Sequence, residues 1–297
     1  MEFTLAHGTA NDFVLLEDLD DRLELPAALV RALADRRRGL GADGVIRLAP
    51  GGTDADVVMD YRNADGSIVE MCGNGVRVVA KHVLDHGLIV PTEPDLVRVG
   101  TPAGVKPVRV VQRHPDGRVS RVAVDMGPPV LEAAAVPFVT AQPDAPRHHL
   151  DVDGETVTLS VVSMGNPHGV TLVDDVDTAP VASLGPRLER DPRFPAGANI
   201  SFAEVVTGER VRLRVWERGV GETAACGTGA CATVVALQRL GLVDTHVQVD
   251  LPGGRLDIEH DGAGSVTMTG PAVEVARGWL DDAWLAAVAT EETRSTP

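Results

Sequence analysis

Met71-Cys72-Gly73-Asn74-Gly75 and Ala225-Cys226-Gly227-Thr228-Gly229 set a cysteine before Gly-X-Gly twice, once in each half of the chain. Each motif opens a run with helical character. A helix start carries N–H groups without intrahelical partners and a partial positive charge. A cysteine there is expected to have its thiolate favoured and its pKa lowered. Glycine beside it lets a carboxylate approach the bare amides. If the two motifs face one another, a substrate's α-carbon would lie between two sulfurs. One thiolate could then take the α-proton while the opposite thiol delivers a proton to the other face, inverting the stereocentre.

Other fates are open to a thiol. A buried structural role is common for a lone cysteine, and Cys231, inside the second helix, reads that way. The repeated context sets Cys72 and Cys226 apart. Zinc would want more Cys or His at ligand spacing, and Cys226 with Cys231 at i, i+5 make a poor pair on a helix, so no metal site is expected. A dithiol switch stays open if the sulfurs can meet, but it leaves the glycine-rich cradles without purpose. A Schiff-base enzyme needs a suitable lysine. Among 27 basic residues only Lys81 and Lys106 are lysines; one lies mid-helix and the other abuts Pro107. No cofactor is expected.

The elements that must position these residues repeat a plan. Phe3 to Ala6 and Phe13 to Leu16 read as strands joined by a polar loop, His7 to Asp12. Asn11 in that loop suits either a ligand or a cap on its own turn. A helix is expected from Pro26 to Arg38, with Arg36-Arg37-Arg38 favouring its C-terminal end. Gly39 to Gly44 matches G-x-G-x-x-G, but a helix precedes it and a strand follows. The order is the reverse of a dinucleotide site, so it is a turn. Asp56 to Arg62 alternates as a half-buried strand, and Ser67 to Glu70 is expected to return as its hairpin partner. Cys72 leads a helix to about His86. The Ala/Pro-rich stretch 131–146 reads as an interdomain connection. Beyond it come a tight loop from Met164 to Gly169, strands over 200–206 and 211–215, and a helix after Cys226 that is apolar almost all round. Such a helix is buried on all sides. The tail from Glu291 to Pro297 is expected to fray.

The chain has 297 residues, a net charge of −16 and a pI near 4.9. That length suits two domains. The charge argues against nucleic acid and anionic membrane as partners. The N-terminus lacks the pattern of a signal peptide, and no run approaches the roughly 20 apolar residues that span a bilayer. A cytosolic protein with reduced cysteines is expected.

Taken together, several segments resemble the diaminopimelate epimerase family, the pyridoxal-independent two-thiol epimerases of bacterial lysine and peptidoglycan synthesis. They are Asn11-Asp12-Phe13, Gly41-Ala42-Asp43, Tyr61-Arg62-Asn63-Ala64-Asp65-Gly66-Ser67, the Cys72 motif through Arg77, Met164-Gly165-Asn166-Pro167-His168, Gly197-Ala198-Asn199-Ile200, and Glu217-Arg218-Gly219-Val220-Gly221-Glu222-Thr223 running into the Cys226 motif. The resemblance implies an α+β fold of two pseudo-symmetric domains, each a mostly antiparallel, barrel-like sheet wrapped around a central helix. The domains would be 1–127 plus about 273–297, and 128–272. It implies Cys72 and Cys226 as the acid/base thiols, with Cys226 taking the proton from the LL substrate and Cys72 donating one. Gly73, Asn74, Gly227 and Thr228 would hold the α-carboxylate. Asn11, Asn63, Asn166, Asn199 and Arg218 would bind the distal amino-acid end, and Glu217 would also contact the substrate. Glu217 and His168 would bias which thiol is ionised, although His168 alone equally suits a core histidine and Glu217 with Arg218 a surface pair. A homodimer is implied. Many relatives carry Gln where this chain has Gly44, so any ligand contact made by that amide is absent here. A racemase of a smaller amino acid such as proline, on a similar fold, is the alternative. A carboxylate-binding member without activity is a third reading, against which the two intact thiols argue.

Overall fold

The computed structural model describes residues 1–295. The chain divides into two compact units: Met1–Val124 with the chain from Pro271 onward, and Asp125–Gly270.

In chain order the first unit begins with β1 (Glu2–Gly8), β2 (Asn11–Glu17), α1 (Ala27–Ala34), β3 (Gly44–Pro50), β4 (Val57–Asn63), α2 (Gly73–Asp85), β5 (Leu96–Thr101), β6 (Gly104–Arg113) and β7 (Val119–Asp125). The second unit supplies β8 (His148–Val152), β9 (Glu155–Ser163), β10 (Pro167–Leu172), α3 (Val181–Glu189), β11 (Asn199–Thr207), β12 (Arg210–Glu217), β13 (Gly221–Thr223), α4 (Gly227–Arg239), β14 (His246–Leu251), β15 (Gly254–Glu259) and β16 (Thr267–Pro271). The chain then returns to the first unit with β17 (Val273–Trp279) and α5 (Asp282–Ser295). The tail expected to fray is helical through Ser295, and the last two residues lie outside the described ones.

The two units repeat one pairing pattern. In the first, β17 pairs antiparallel with β1, β1 antiparallel with β2, β2 parallel with β3, β3 antiparallel with β4, β4 parallel with β5, and β5–β6–β7 run antiparallel. In the second, β8–β9–β10 are antiparallel, β10–β11 parallel, β11–β12 antiparallel, β12–β14 parallel, and β14–β15–β16 antiparallel. Strand for strand the signs agree. Each parallel join is a crossover through a helix, as parallel neighbours require. The strand that matches β8 in the first unit is β17, from the far end of the chain.

Each sheet curls round its central helix. In the first unit α2 touches β17 and β1 at one end of the strand order and β5 and β6 at the other. Its Val76, Val78, Val79, Ala80 and Val83 are fully buried. In the second unit α4 packs on β9, β10, β11 and β15, and Ala230 to Leu237 are buried throughout. Strand β2 is covered on both sides. Val14 and Leu16 pack with Val30 and Leu33 of α1, while Phe13 and Leu15 alternate to the other face and are equally buried.

Four expectations are corrected by local contacts. First, α1 stops at Ala34, because Asp35 turns extended and its carboxylate accepts from the Arg37 and Arg38 amides at 2.8 and 3.0 Å. Arg36 therefore caps no helix end and pairs with Asp12 and Asp43. Second, Ser67 to Glu70 does return antiparallel along β4, with Asn63 N–H donating to the Ser67 carbonyl at 3.0 Å and Val69 N–H to the Tyr61 carbonyl at 3.1 Å, but it stops at a single bridge, Arg62 to Ile68, because Ile68 is 64% exposed and has no face to bury. Third, the polar loop after β1 is a two-residue turn, Thr9-Ala10, with both residues at positive φ. Fourth, the connecting stretch before β8 is not a free linker. Ala133, Val136 and Phe138 enter the core of the second unit beside Leu150, Phe194 and Ile200.

One buried polar cluster ties α2 to β17. His82, fully buried, has Nδ1 2.6 Å from Glu274 and Nε2 2.9 Å from Glu17. His86 Nε2 lies 3.0 Å from Glu274, and Arg277 donates to His86 Nδ1 at 3.1 Å. Ligating atoms of His82, His86 and Glu274 fall within 4.8 Å of one another, yet hydrogen bonds already occupy each of them. Burial raises the Glu274 carboxyl, but the hydrogen bonds from His82 and His86 outweigh it and hold it at about 2. A carboxyl depressed on folding contributes stability above about 4.5, its ordinary value. That contribution is lost as pH falls towards 2. Glu274→Gln is expected to remove about 1–3 kcal/mol of stability at pH 7 and to flatten the loss between pH 5 and 2. Urea melts at pH 7 and pH 3 measure both.

Candidate active site

Cys72 is the N-cap of α2. Its backbone is extended (φ −138°, ψ 111°) and its Sγ accepts the Gly75 N–H at 3.4 Å. Space at position 75 is tight, because a Cβ there would press on the ends of Ile46 and Met59 at 3.2 Å. Asn74 donates through Nδ2 to Asn11 Oδ1 at 3.1 Å, and the Cys72 thiol points to the same oxygen at 3.7 Å. Asn11 Nδ2 in turn donates to Asp43 at 2.8 Å. Asn63 stands apart from this group. It ends β4, accepts from the Tyr61 hydroxyl and donates to Ser67 Oγ, each at 3.1 Å.

Cys226 repeats the geometry at the start of α4 (φ −119°, ψ 109°), with Sγ accepting the Gly229 N–H at 3.4 Å. Thr228 Oγ1 lies 3.5 Å from the sulfur. The amides of Gly227 and Thr228 stand in the first helical turn, where no intrahelical acceptor exists. The electrostatics depart from the expectation for a helix start. Cys226 is 4% exposed, and burial, followed by the neighbouring Glu217 carboxylate, pushes its thiol well above the ordinary value. Desolvation outweighs the half-charge of the helix end. Glu217 closes β12 and is held by the Thr223 hydroxyl.

A second group forms around β10 and β11. His168 pairs in register with Asn199. It is fully buried, and burial followed by the nearby Arg218 charge holds its ring down to about 3. The ring is therefore neutral at pH 7. Its Nε2 lies 2.9 Å from Asn166 Oδ1, an acceptor, so the proton sits on Nε2. Nδ1 is left an acceptor with no hydrogen-bond partner among the described residues. Asn199 donates to the Pro167 carbonyl at 3.3 Å and accepts the Arg218 N–H at 2.9 Å. The exposed Arg218 side chain donates through Nη1 to the Ala196 carbonyl at 2.8 Å and has no carboxylate partner among the described residues.

Three positions that sequence reasoning passed over now carry contacts. Glu189 of α3 is buried and accepts from Gly219 N at 2.9 Å and Trp216 Nε1 at 2.7 Å, which fixes the turn bearing Arg218. Arg36 clamps Asp12 and Asp43 beneath Asn11. Arg77 is fully buried behind Cys72. An acid on a short helix or one arginine in a cluster of three gives no signal of its own. Gly44 is explained as well: a Cβ there would stand 2.4 Å from the Arg62 carbonyl and the Tyr61 ring, so any side chain is excluded from this conformation.

The sequence profile described as diaminopimelate epimerase matches residues 3–132 and 160–275. A diaminopimelate epimerase of Pseudomonas aeruginosa (strain LESB58) is 48% identical over 280 residues, covering 94% of this chain and 98% of the relative. One of Acidovorax ebreus is 48% identical over 294 residues, covering 95% and 98%. Among solved structures, a probable proline racemase from Agrobacterium radiobacter K84 superposes with a TM-score of 0.69 at 17% identity, covering 95% of this chain and 93% of that one. A hydroxyproline epimerase from Agrobacterium vitis gives 0.64 at 18% identity, covering 94% and 90%. At that identity the two structures are similar in fold alone.

Proposed function

The chain belongs to the diaminopimelate epimerase family, and from that premise we propose how its own residues carry out the inversion. It is an isomerase that interconverts LL- and meso-diaminopimelate. The observation that carries the mechanism is the duplicated N-cap cysteine, with the same backbone conformation and the same thiol-to-amide contact in both units.

The α-carboxylate is held by the first-turn amides at Gly73, Asn74, Gly227 and Thr228. Donors aimed there also stabilise the charge that builds up when the α-proton leaves. Arg218, with Asn11, Asn63, Asn166 and Asn199, holds the distal carboxylate and amine and so fixes which configuration is accepted. In the LL-to-meso direction Cys226 takes the α-proton. The electrons of the broken C–H bond remain on the α-carbon, and Cys72 then donates its proton on the opposite face. Cys226 ends protonated and Cys72 as the thiolate, so the reverse direction starts from the opposite assignment. Cys226 is proton-loaded at rest, because burial and Glu217 disfavour its thiolate. The base is therefore made on binding: the substrate's α-ammonium offsets the negative charge, and the neighbouring Glu217 carboxylate accepts the thiol proton. Neutral His168 offers a free lone pair at Nδ1 and takes the role of a polar neighbour, not of a cation.

None of the three cysteines is in a disulfide and the chemistry needs the thiols reduced, which supports a cytosolic setting; the family resemblance supports a homodimer. No helix among the described residues is long and apolar enough to cross a membrane.

In deuterated buffer, reduced protein given LL-diaminopimelate is expected to yield meso product with one deuterium, at the inverted carbon. Mass spectrometry and proton NMR read it. No exchange and no epimerisation would overturn the reading, and turnover of proline in its place would move the protein to the smaller-substrate class.

A further inference from the structure

We propose that Arg77 is a positioning residue: it sets the polarity of a hydrogen-bond chain so that Asn11 presents its carbonyl oxygen to Cys72, holding Cys72 as a proton-bearing thiol. The proposal rests on reading Cys72 as one of the two acid/base thiols.

The chain of contacts has fixed ends. Arg77 is fully buried in the second turn of α2, and a guanidinium can only donate. It donates to the side-chain oxygen of Asn74, to Thr9 Oγ1 at 2.7 Å and to the Gly73 carbonyl at 3.3 Å. The Asn74 atom that faces it is therefore Oδ1, and Nδ2 is left to point at Asn11, 3.1 Å away. The Asn11 atom that receives it must be Oδ1. At the other end stands the Asp43 carboxylate, an acceptor, 2.8 Å from Asn11 Nδ2. Both ends demand the same orientation of both amides. Flipping Asn74 would set donor against donor at Arg77, and flipping Asn11 would set acceptor against acceptor at Asp43.

The consequence falls on Cys72. Asn11 Oδ1 lies 3.7 Å from Sγ, and an oxygen facing sulfur makes the thiol the partner that carries the hydrogen. A hydrogen bond donated by the neutral form favours that form. The Gly75 amide pulls the other way, donating to Sγ at 3.4 Å as it would to a thiolate. The Asn11 oxygen is the counterweight. A thiol so held is the acid for one face of the α-carbon.

The surroundings are built to keep the chain in place. Thr9 is β-branched, 2% exposed and at φ +54°, a region such residues rarely occupy. Its hydroxyl accepts from Arg77. A Cβ on Gly8 would come 3.0 Å from Arg77 Nη2, so the β1–β2 turn sits directly on the guanidinium. That turn delivers Asn11 as the first residue of β2. Arg36 fixes the far end, pairing with Asp43 and Asp12 at 2.8 Å each.

The test titrates the thiol in the full chain with Cys226→Ser and Cys231→Ala, so that Cys72 alone reacts. The rate of alkylation by iodoacetamide is followed against pH. Arg77→Lys is expected to keep the profile, because an ammonium also only donates. Arg77→Gln and Asp43→Asn place at either end a group that can donate or accept. Each is expected to lower the apparent pKa of Cys72 by about one unit, read as about tenfold faster alkylation at pH 7. Profiles for Arg77→Gln and Asp43→Asn that coincide with the parent would overturn the proposal, as would an Arg77→Lys profile displaced as far as that of Arg77→Gln. Should Arg77→Gln not fold, Asp43→Asn decides alone, its side chain being 45% exposed. The readout is a thiol and not turnover. A protein that titrates as expected but does not epimerise overturns the functional reading and leaves this one standing.

Discussion

Replacing Cys72 or Cys226 with alanine is expected to lower turnover by about 10²–10⁴-fold in both directions, the range that a positioned acid or base contributes. Each sulfur does two things, and the variants must separate them. As N-caps, the sulfurs accept the Gly75 and Gly229 amides, so alanine also costs about 0.5–2 kcal/mol of stability. Serine keeps an acceptor at the cap while replacing the thiol with a far weaker acid. Cys72→Ser and Cys226→Ser are therefore expected to melt close to the parent and still lose turnover. Cys231→Ala gives the opposite pattern. Cys231 is fully buried on α4 away from the helix start, so its loss is expected to cost about 1 kcal/mol of stability and leave kcat near the parent. Thermal melts beside steady-state rates distinguish the cases. Full activity in either Cys72→Ser or Cys226→Ser would remove the two-thiol mechanism.

Arg218→Met is expected to raise KM for diaminopimelate by about 30-fold or more, the size of a charged hydrogen-bonded contact worth 2–5 kcal/mol. The reason lies in what the guanidinium already does. One of its five donors goes to the Ala196 carbonyl. No carboxylate among the described residues claims the rest, so the fork is free for a bidentate carboxylate. The turn under it is over-determined by Asn199, Glu189 and Trp216, so methionine can be introduced without moving the backbone. Arg218→Lys is expected to recover only part of the loss, because an ammonium cannot match two oxygens at once. A structural role alone would lower kcat and stability together. A binding role raises KM, and it narrows the preference for diaminopimelate over an analogue lacking the distal carboxylate. Competition between the two substrates measures that narrowing. An unchanged KM would take Arg218 out of the substrate site.

The two N-cap cysteines are legible in the sequence because their motif is written twice. Cys-Gly-X-Gly before an apolar helix carries its own chemistry, and both copies cap their helices in the same way. The burial of α4 is legible as well, because a helix enclosed by a sheet is apolar nearly all round, whereas α2 buries Arg77, Lys81 and His82 among its valines. Less legible was anything decided by a competing side chain, by burial or by a partner distant in sequence. The end of α1 is set by the Asp35 carboxylate, which competes with the helix for its own backbone. The direction of the Cys226 shift is set by burial, which a motif at a helix start does not reveal. The buried Arg77 resembles any helical arginine until Thr9 and Asn74 are placed against it. The substrate role of Asn63 rests on the family resemblance; in the structure its side chain bonds Tyr61 and Ser67.

The origin of β17 has a bearing on how the polypeptide is made. All the strands of the second unit precede Val273 in the chain, so that unit has its full strand set before β17 is made. The first unit, although translated earlier, must wait. Until the final stretch emerges, β1 has one hydrogen-bonding edge open, a template for pairing with another chain. His82 meanwhile lacks the Glu274 carboxylate that one of its buried nitrogens faces. Synthesis thus runs against the usual N-terminal-first order, and the last strand is the clasp that completes the earliest part of the molecule. Both ends of the chain meet in that clasp, Glu2 opposite Trp279 and Phe3 opposite Gly278. A chain ending short of Val273 would therefore carry every strand of the second unit and leave β1 unpaired along one edge in the first.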